Sequence, residues 1–507
     1  MRVVIAGAGT AGCVLAARLT EDPSVEVTLL EAGPHYRAGS WPAALSHAHR
    51  VIRETHDWGF QAQAGASPRL VHVPRGRVVG GSSITNGAIA LRGRPEHYDD
   101  WDAFVDGFGW DTWLPWFRAI ERDMQFPESA WHGRSGPIPI NRYPRGSWFE
   151  LMDRFADAAL ARGHHWVDDH NDPTALGIGP TPFNMIDGVR QTPADHYLDP
   201  VLERSNLTLI AGVTVDRVIL DGTRASGVEV LDARDERQRH DADEVIVSLG
   251  TYVSPACLLR SGIGPGAEIT RHAVTPRHEL PAVGKGMQDH PKVSYRFWID
   301  TDAPQWPNPW IQALLTANAD VAGESRAFQV MPYAGVIDGG HRFTDLNVQV
   351  ADARGRRGTV TIQGSDPRLQ PVLRMGWLEA DGDRDVATVA GRELMALART
   401  APLADILHSW PNQDDPDQPL RTVETFHHPV GTCRMGRPGD PTAVVDAAGR
   451  VLGLQGLSVI DASIIPRLPS ANTHLCVIAL AERLASRWRA HRTPQVPRPT
   501  GQPRFKA

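Results

Sequence analysis

A glycine-rich turn stands between two short apolar stretches at the start of this 507-residue chain, and it constrains the fold more than any other feature. RVVIA at 2–6 predicts a buried strand, and GAGTAG follows at once, with Gly7, Gly9 and Gly12 in GxGxxG spacing. An amphipathic helix and a second strand, EVTLL at 26–30, come next. This order of strand, glycine turn, helix and strand is typical of a dinucleotide-binding βαβ unit.

The three glycines and one acid predict how a dinucleotide would bind. Gly7 permits the tight turn, Gly9 lets the backbone approach a pyrophosphate, and Gly12 lets the helix pack closely on the strand. The free N–H groups at the helix N-terminus then bind the phosphates. Glu31 ends the second strand and is suited to accept hydrogen bonds from ribose hydroxyls. An acid there argues against the 2′-phosphate of NADP, but it does not separate NAD from FAD.

Composition and charge exclude several other classes. The formal net charge of −7 gives no support for nucleic-acid binding. No apolar run reaches about 18 residues, so no transmembrane helix is predicted, and the early glycine turn fits no export signal. The four cysteines are far apart and form no CxxC, so neither a disulfide framework nor a zinc site is predicted. We therefore expect a cytoplasmic protein with reduced thiols.

Five later segments decide between flavin and nicotinamide. They are GRVVGGSSITNGAIALRG at 76–93, GTYVSPACLLRSGIGP at 250–265, VGKGMQDHP at 283–291, HHPVGTCRMG at 427–436, and the stretch 446–484 that contains PSANTHLCVIALAERL. Together with the N-terminal unit, they resemble the glucose–methanol–choline (GMC) family of FAD-dependent oxidoreductases. The resemblance runs from Arg2 to about Trp488. An NAD-dependent dehydrogenase would share only the N-terminal unit.

The resemblance implies an α/β fold (α+β overall), in which a Rossmann-like FAD-binding domain is interleaved with a substrate domain built on an antiparallel sheet. The implied FAD-binding pieces are 1–145, 190–290 and 427–490. The implied substrate domain collects 146–189 and 291–426, and 491–507 forms a basic, proline-rich tail.

Local patterns add three predictions within the implied substrate domain. RGTVTIQ at 357–363 alternates like a strand, and 383–401 has the apolar spacing of a helix. PQWPNPW at 304–310 predicts a loop. Seven of the 15 tryptophans lie between 101 and 166, where we interpret them as core residues rather than as a sugar-binding platform.

The resemblance also assigns the chemistry. Alcohol oxidation needs a base for the hydroxyl proton, and histidine titrates in the right range. The family's catalytic histidine, immediately before the proline of HPxGT, is His428 here, and its partner is Asn472, which would bond the substrate oxygen. His474 stands where relatives carry a second Asn, and it is a candidate alternate base. His427 replaces a usual aromatic residue, and we interpret it as a packed neighbour. A three-histidine metal site is not favoured, because adjacent residues on an extended chain point to opposite faces.

The positions predicted to bind FAD span all three implied pieces. Asn86 matches a residue beside the flavin N5 edge, Asp461 and Ala462 match positions near the phosphates and ring, and Val215 matches an adenine contact. Thr85 stands where some relatives attach FAD through a histidine, so non-covalent FAD is predicted. The full set is Gly7, Gly9, Thr10, Ala11, Gly12, Glu31, Ala32, Arg77, Val79, Gly80, Gly81, Ser82, Asn86, Gly87, Val215, Asp461, Ala462, Asn472 and Thr473.

Substrate and acceptor stay open at this stage. No carboxylate stands out as a receptor for choline, so a primary or aryl alcohol or a polyol is expected. The acceptor is O₂ in an oxidase or a quinone-type carrier in a dehydrogenase, and we favour a dehydrogenase. Only three basic residues are lysine, which is typical of a GC-rich bacterium. Short relatives there include mycofactocin-associated dehydrogenases, and membership of that subgroup would make a reduced redox peptide, or electrons derived from it, the substrate.

Three alternatives remain. Some GMC relatives are lyases or light-driven decarboxylases, and a non-enzymatic flavin module is a third reading.

The chain from 486 onward carries six basic residues and no acid. We interpret it as a frayed tail, with a weak contact to an anionic membrane surface as the alternative.

Overall fold

The structure is a computed structural model that describes residues 1–47, 51, 54–65, 69–299, 309–338, 341–355, 358–409, 421 and 423–490. The basic tail and most of the predicted loop at 304–310 lie outside these residues. Among the helices described, none has the length and apolar character needed to cross a membrane.

A five-stranded parallel sheet forms the first layer. Its strands, in spatial order, are Leu207–Ala211, Glu26–Glu31, Arg2–Ala6, Glu244–Val247 and Leu457–Val459. In four of these strands the apolar side chains are almost fully buried, as is typical of a parallel sheet covered on both faces, whereas the edge strand Leu207–Ala211 is partly exposed. The strands predicted at 2–6 and 26–30 are confirmed as Arg2–Ala6 and Glu26–Glu31.

Two helices from opposite ends of the chain pack together on this sheet. They are Thr10–Leu19, as predicted, and Thr473–Ala490. Arg18 Nε and Nη2 donate to the Glu482 carboxylate over 2.8–3.0 Å, which links the two helices through a partly buried ion pair. The N-terminal turn and the C-terminal segment are therefore held as one unit.

An antiparallel sheet forms the second layer. Its strands, in order, are Leu407–Ser409, Pro291–Ile299, His341–Val350, Glu324–Asp338, Ala313–Val321 and Gly177–Pro180, and Glu424–Thr425 pairs with Pro291–Ile299. Helices Asp381–Ala398 and Glu150–Ala161 pack behind it. The helix predicted at 383–401 is confirmed, with Val386, Ala390 and Leu394 fully buried.

A third sheet joins distant parts of the chain. Its strands, in order, are Lys285–Met287, Gly358–Thr361, Val372–Met375, Gln61–Ala64 and Leu70–His72. The strand predicted at 357–363 is therefore confirmed over Gly358–Thr361, but it pairs with Lys285–Met287 rather than joining the antiparallel sheet. The domain boundaries implied by the resemblance remain a prediction.

Smaller elements complete the described structure. The remaining strands are Glu121–Asp123, Ile138–Arg142, Pro182–Phe183, Met185–Ile186, Val189–Arg190, Thr214–Asp221, Arg224–Leu231, Arg237–Asp241, Ile263–Gly264 and His278–Glu279. The remaining helices are Ala43–Ser46, Ser82–Thr85, Pro95–Asp99, Trp110–Ile120, Gly250–Arg260 and Gly266–Thr270, with single turns at Asp100–Ala103, Arg145–Ser147, Ala194–Leu198, Asp199–Val201, Leu403–Asp405 and Ala462–Ile464.

The tryptophan-rich region packs as core. Trp101 and Trp113 are fully buried, both contact Tyr98, and Trp113 also contacts Phe117, with ring centroids 5.1–5.9 Å apart. Trp166, by contrast, is 37% exposed. Most of this aromatic area thus stabilises the fold.

We expect Gly12→Ala to destabilise the protein by about 1–3 kcal/mol, the usual cost of overpacking. A Cβ on Gly12 would lie 1.9 Å from the Gly7 carbonyl oxygen, so the helix would have to move away from the strand. Gly146→Ala is the matched control, because its Cβ would meet nothing within 4 Å. Thermal unfolding of both variants measures the difference, and equal stabilities would contradict the packing role of Gly12.

Candidate active site

The glycine turn forms one wall of a cavity. Gly7 has a φ of +102°, and a Cβ there would lie 2.5 Å from the Ser248 carbonyl oxygen, so only glycine fits. A Cβ on Gly9 would meet nothing within 4 Å. Gly9 is also the N-cap of helix Thr10–Leu19, with no side-chain cap, so the first N–H groups of the helix are available to a ligand.

Glu31 lies at the carboxyl end of its strand and lines the same cavity. Its Oε2 accepts from the Ala8 N–H at 3.1 Å and its Oε1 from the Gly33 N–H at 2.9 Å. Burial, partly offset by these backbone bonds, raises the pKa of Glu31 to about 7. A carboxylate has about four acceptor positions, so it retains capacity for ribose hydroxyls.

The Gly/Ser loop closes over the turn. The Gly80 N–H donates to the Ala8 carbonyl at 2.7 Å, and a Cβ on Gly81 would lie 2.9 Å from Gly9 Cα. Both glycines have positive φ, which permits this approach. Gly81 therefore faces the ligand side together with Gly9.

Most predicted FAD positions line this one cavity, but four do not. Gly12 packs against Gly7, and the Gly80 N–H donates to the Ala8 carbonyl. Val79 is fully buried and its N–H donates to the Pro34 carbonyl, and the Arg77 guanidinium lies 5.0 Å from the Trp58 ring centroid. The lining set from the prediction is Gly7, Gly9, Thr10, Ala11, Glu31, Ala32, Gly81, Ser82, Asn86, Gly87, Val215, Asp461, Ala462, Asn472 and Thr473.

Arg190, which the sequence reasoning missed, supports the loop at Asn86. Its Nε and Nη2 donate to the Asn86 carbonyl at 2.9 and 2.7 Å, and it also bonds the Leu45 carbonyl. Burial lowers the pKa of Arg190 to about 9. No local pattern marks this arginine, because its partners lie about a hundred residues away.

Asp461 ties the C-terminal segment to the cavity wall. Its Oδ2 accepts from the Gly250 N–H at 2.8 Å and the Ser254 hydroxyl at 2.5 Å, and its Oδ1 accepts from the Ser463 N–H at 2.8 Å. The carboxylate thus orders the backbone of the cavity wall.

His428 and Asn472 meet across the cavity. Asn472 Nδ2 donates to His428 Nε2 at 3.0 Å. Burial first, and then the nearby His290 and Arg75, lower the pKa of His428 well below 6.5, so its ring is neutral. Among the described residues, neither Asn472 Oδ1 nor His474 Nε2 has a hydrogen-bond partner, although both atoms are buried.

These two unpartnered atoms belong to side chains that line the cavity. Buried polar atoms are rarely left unsatisfied, so they point to a ligand with polar groups. Burial lowers the pKa of His474 to about 4, so this histidine is also neutral. The three residues predicted to be catalytic are therefore brought together.

The expectation that His427 and His428 point to opposite faces rested on an extended chain, and that premise is wrong. His427 has a φ of +72°, and both histidines line the cavity. Its N–H donates to Thr425 Oγ1 at 2.7 Å, which shapes the turn. The absence of a metal role for these histidines remains a prediction.

The described side chains with metal-binding spacing lie elsewhere, at Glu121, Asp123 and His132. Arg92 donates to Glu121 at 2.7 Å and Arg142 to Asp123 at 2.9 Å. These arginines neutralise the acids, so the cluster is a buried ion-pair network.

Asp289 holds the turn that carries His428. Its Oδ1 accepts from the His428 N–H at 2.8 Å, and its Oδ2 accepts from Thr425 Oγ1 at 2.7 Å and Trp377 Nε1 at 3.3 Å. Burial raises the pKa of Asp289 to about 6. The GMQDHP motif contained this residue, but its partner cannot be deduced from spacing.

The cavity beside His428 is aromatic and apolar. Trp310 and Tyr333 have ring centroids 4.5 Å apart, and Ile311, Phe426 and Ile89 also line it. Within the described residues, the acids that line the cavity are Glu31 and Asp461, both already bonded to backbone N–H groups.

Comparison with known proteins identifies the family. The description GMC oxidoreductase applies to both family models that match, over residues 1–292 and 354–481. An uncharacterised GMC-type oxidoreductase of Rhodococcus erythropolis is 34% identical, over 95% of this chain and 97% of its own. The mitochondrial choline dehydrogenase of Homo sapiens is 32% identical, over 95% of this chain and 88% of its own.

Solved structures agree with this result. Pyridoxine 4-oxidase from Mesorbium loti matches with a TM-score of 0.87 at 29% identity, covering 97% of this chain and 99% of that one. Formate oxidase of Aspergillus oryzae RIB40 also gives 0.87, at 22% identity and covering 97% and 98%, which is a likeness of fold. The expected α/β architecture is confirmed. The chain belongs to the GMC oxidoreductase family and is an FAD-dependent oxidoreductase that acts on CH–OH groups.

Proposed function

We propose that this enzyme binds FAD non-covalently and oxidises an uncharged alcohol to a carbonyl compound, with His428 as the base. The observation that carries the proposal is the His428–Asn472 pair beside two unpartnered polar atoms in a glycine-walled cavity. Three features would hold the dinucleotide. Glu31 presents carboxylate acceptors, the helix N-terminus presents N–H donors, and Gly9 and Gly81 leave open space for its close approach.

The reaction divides between cofactor and protein. Bound FAD would supply the acceptor for a hydride from the alcohol carbon, so that the substrate loses two electrons. His428 Nε2 takes the hydroxyl proton, and the Asn472 amide donates a hydrogen bond to the substrate oxygen as negative charge develops. His474, also neutral and buried, orients the substrate and is the alternate base.

The substrate end favours an uncharged molecule. The lining acids are committed to backbone N–H groups, so no described carboxylate there pairs with a quaternary ammonium. Trp310 and Tyr333 offer aromatic faces to an apolar substrate. We therefore propose an uncharged primary or aryl alcohol rather than choline, because no unpaired carboxylate is there to balance the charge of choline.

For the acceptor, we propose a quinone-type carrier, which makes the enzyme a dehydrogenase, with O₂ as the alternative. Relatives carry names of both kinds, choline dehydrogenase and pyridoxine 4-oxidase. The mycofactocin-associated subgroup, a redox-peptide substrate and a cytoplasmic, membrane-peripheral location through the basic tail stay proposals from sequence.

Purified protein should be yellow, and acid precipitation should release intact FAD. Gly9→Ala should weaken FAD binding roughly tenfold or more, equal to about 1.4 kcal/mol, because the new methyl group would occupy space next to the phosphates. Unfolding of the apoprotein should not change, since this Cβ meets no protein atom within 4 Å. A colourless protein that cannot be reconstituted, or FAD retained in the acid pellet, would contradict the proposed binding.

His428→Ala should slow anaerobic flavin reduction by an alcohol about 10²–10⁴-fold, the usual contribution of a general base. Stopped-flow absorbance of the flavin measures the rate. His474→Ala is the matched comparison, and we expect a smaller loss. If His474→Ala loses more than His428→Ala, the base is His474 instead.

The pH profile follows from the lowered pKa of His428. A base acts when neutral, so the flavin-reduction rate should stay constant from about pH 8 down to pH 6.5 and fall only at lower pH. Rapid-mixing measurements of flavin reduction across this range test the expectation. A half-maximal rate at or above pH 6.5 would show that burial does not control this histidine.

A further inference from the structure

We infer that His290 is a positioning residue that fixes the proton of His428 on Nδ1 and thereby leaves Nε2 free as the base. This inference rests on the proposed function only in assigning His428 as the base. It concerns a fully buried histidine that directly precedes strand Pro291–Ile299 and lies outside the cavity lining.

A buried chain of hydrogen bonds connects the antiparallel sheet to the active site. His290 Nε2 lies 2.9 Å from the Ala351 carbonyl oxygen, and His290 Nδ1 lies 2.9 Å from His428 Nδ1. Gln349 Nε2 lies 3.0 Å from the same His290 nitrogen. At the far end, His428 Nε2 faces Asn472.

The Ala351 carbonyl determines which group donates in each of these hydrogen bonds. A carbonyl oxygen can only accept, so His290 Nε2 carries the hydrogen. Burial lowers the pKa of His290 to about 3, so the ring is neutral and its Nδ1 has a lone pair. His428 Nδ1 must therefore be the donor across the 2.9 Å contact, and the Gln349 amide is a second donor to the same acceptor.

This arrangement leaves His428 with one tautomer. With hydrogen on Nδ1, the lone pair of Nε2 faces Asn472 and the substrate. The opposite tautomer would place two lone pairs against each other at 2.9 Å in a buried site. Phe426 also stacks on the His428 ring, at 5.7 Å between centroids and 29° between planes, which restricts rotation.

The group that accepts the hydrogen bond from His428 Nδ1 is the neutral His290 ring, and this affects the release of the proton after each turnover. When Nε2 takes the alcohol proton, the imidazolium keeps its Nδ1–H bond to His290, but no carboxylate accepts that bond. The cation is therefore stabilised less than in a histidine–aspartate pair, and its proton leaves readily for the next turnover.

Two nearly isosteric substitutions separate tautomer control from packing. His290→Asn can still offer Oδ1 as an acceptor to His428 Nδ1–H, whereas His290→Leu fills a similar volume with no acceptor. Both lose the donor to Ala351. We expect His290→Leu to slow flavin reduction between about 10-fold and 10⁴-fold, the range known for lost supporting partners and for a catalytic histidine in the wrong tautomer. His290→Asn should recover most of that loss.

The tautomer itself can be measured without substrate. Long-range ¹H–¹⁵N correlation spectra of the ¹⁵N-histidine-labelled holoenzyme distinguish the two ring nitrogens, and His428→Ala assigns the His428 signals by their disappearance. We expect hydrogen on Nδ1 in the unmodified enzyme and in His290→Asn. In His290→Leu an Nδ1–H would be buried without its acceptor, so we expect the Asn472 amide to turn its Oδ1 toward His428 Nε2 and the Nε2–H tautomer to become more populated.

The spectra of the unmodified enzyme can by themselves contradict the positioning role, so the test does not depend on whether a variant folds. Hydrogen on His428 Nε2, or an unchanged tautomer in well-folded His290→Leu, would contradict the positioning role. If the spectra agree but His428→Ala keeps normal flavin reduction, the tautomer control stands and the proposed base is wrong.

Discussion

The five-stranded parallel sheet contains strands from both ends of the chain. The geometry of the site depends on the pairing of these strands. Glu244–Val247 stands between Arg2–Ala6 and Leu457–Val459, so three distant segments end at one edge. Ligands of such sheets bind at the carboxyl ends of the strands. The glycine turn follows the first strand and Asp461 follows the last, which places cofactor-binding backbone beside the C-terminal segment that carries Asn472.

Burial then sets the chemistry. Two histidines that line the site, His428 and His474, and His290 behind them all have pKa values lowered mainly by desolvation, so each is neutral. A neutral ring can accept a proton or a hydrogen bond, and its behaviour is then determined by which nitrogen bears hydrogen. For His290 the Ala351 carbonyl determines this, and for His428 the His290 ring and the Asn472 amide do, while Asp289 contacts the His428 backbone rather than its ring.

Sequence reasoning succeeded where spacing encodes a backbone requirement. The turn at Gly7 and Gly9, its helix and the strand to Glu31 follow from local pattern, and the family motifs led to His428 and Asn472. It could not find Arg190 or the His290–His428 bond, because these depend on pairing between residues about a hundred or more positions apart. The left-handed backbone of His427 was likewise hidden, since a histidine gives no local signal for positive φ.

In the proposed reaction, the enzyme removes a proton and a hydride from an uncharged alcohol at one buried site. The sharpest check is anaerobic mixing of the unmodified holoenzyme with matched concentrations of benzyl alcohol, other uncharged alcohols and choline, followed by O₂ or a quinone analogue. We expect an uncharged alcohol to bleach the flavin absorbance far faster than choline does, and the quinone analogue to restore it faster than O₂. Bound flavin that no uncharged alcohol in the panel reduces would contradict the proposed reaction.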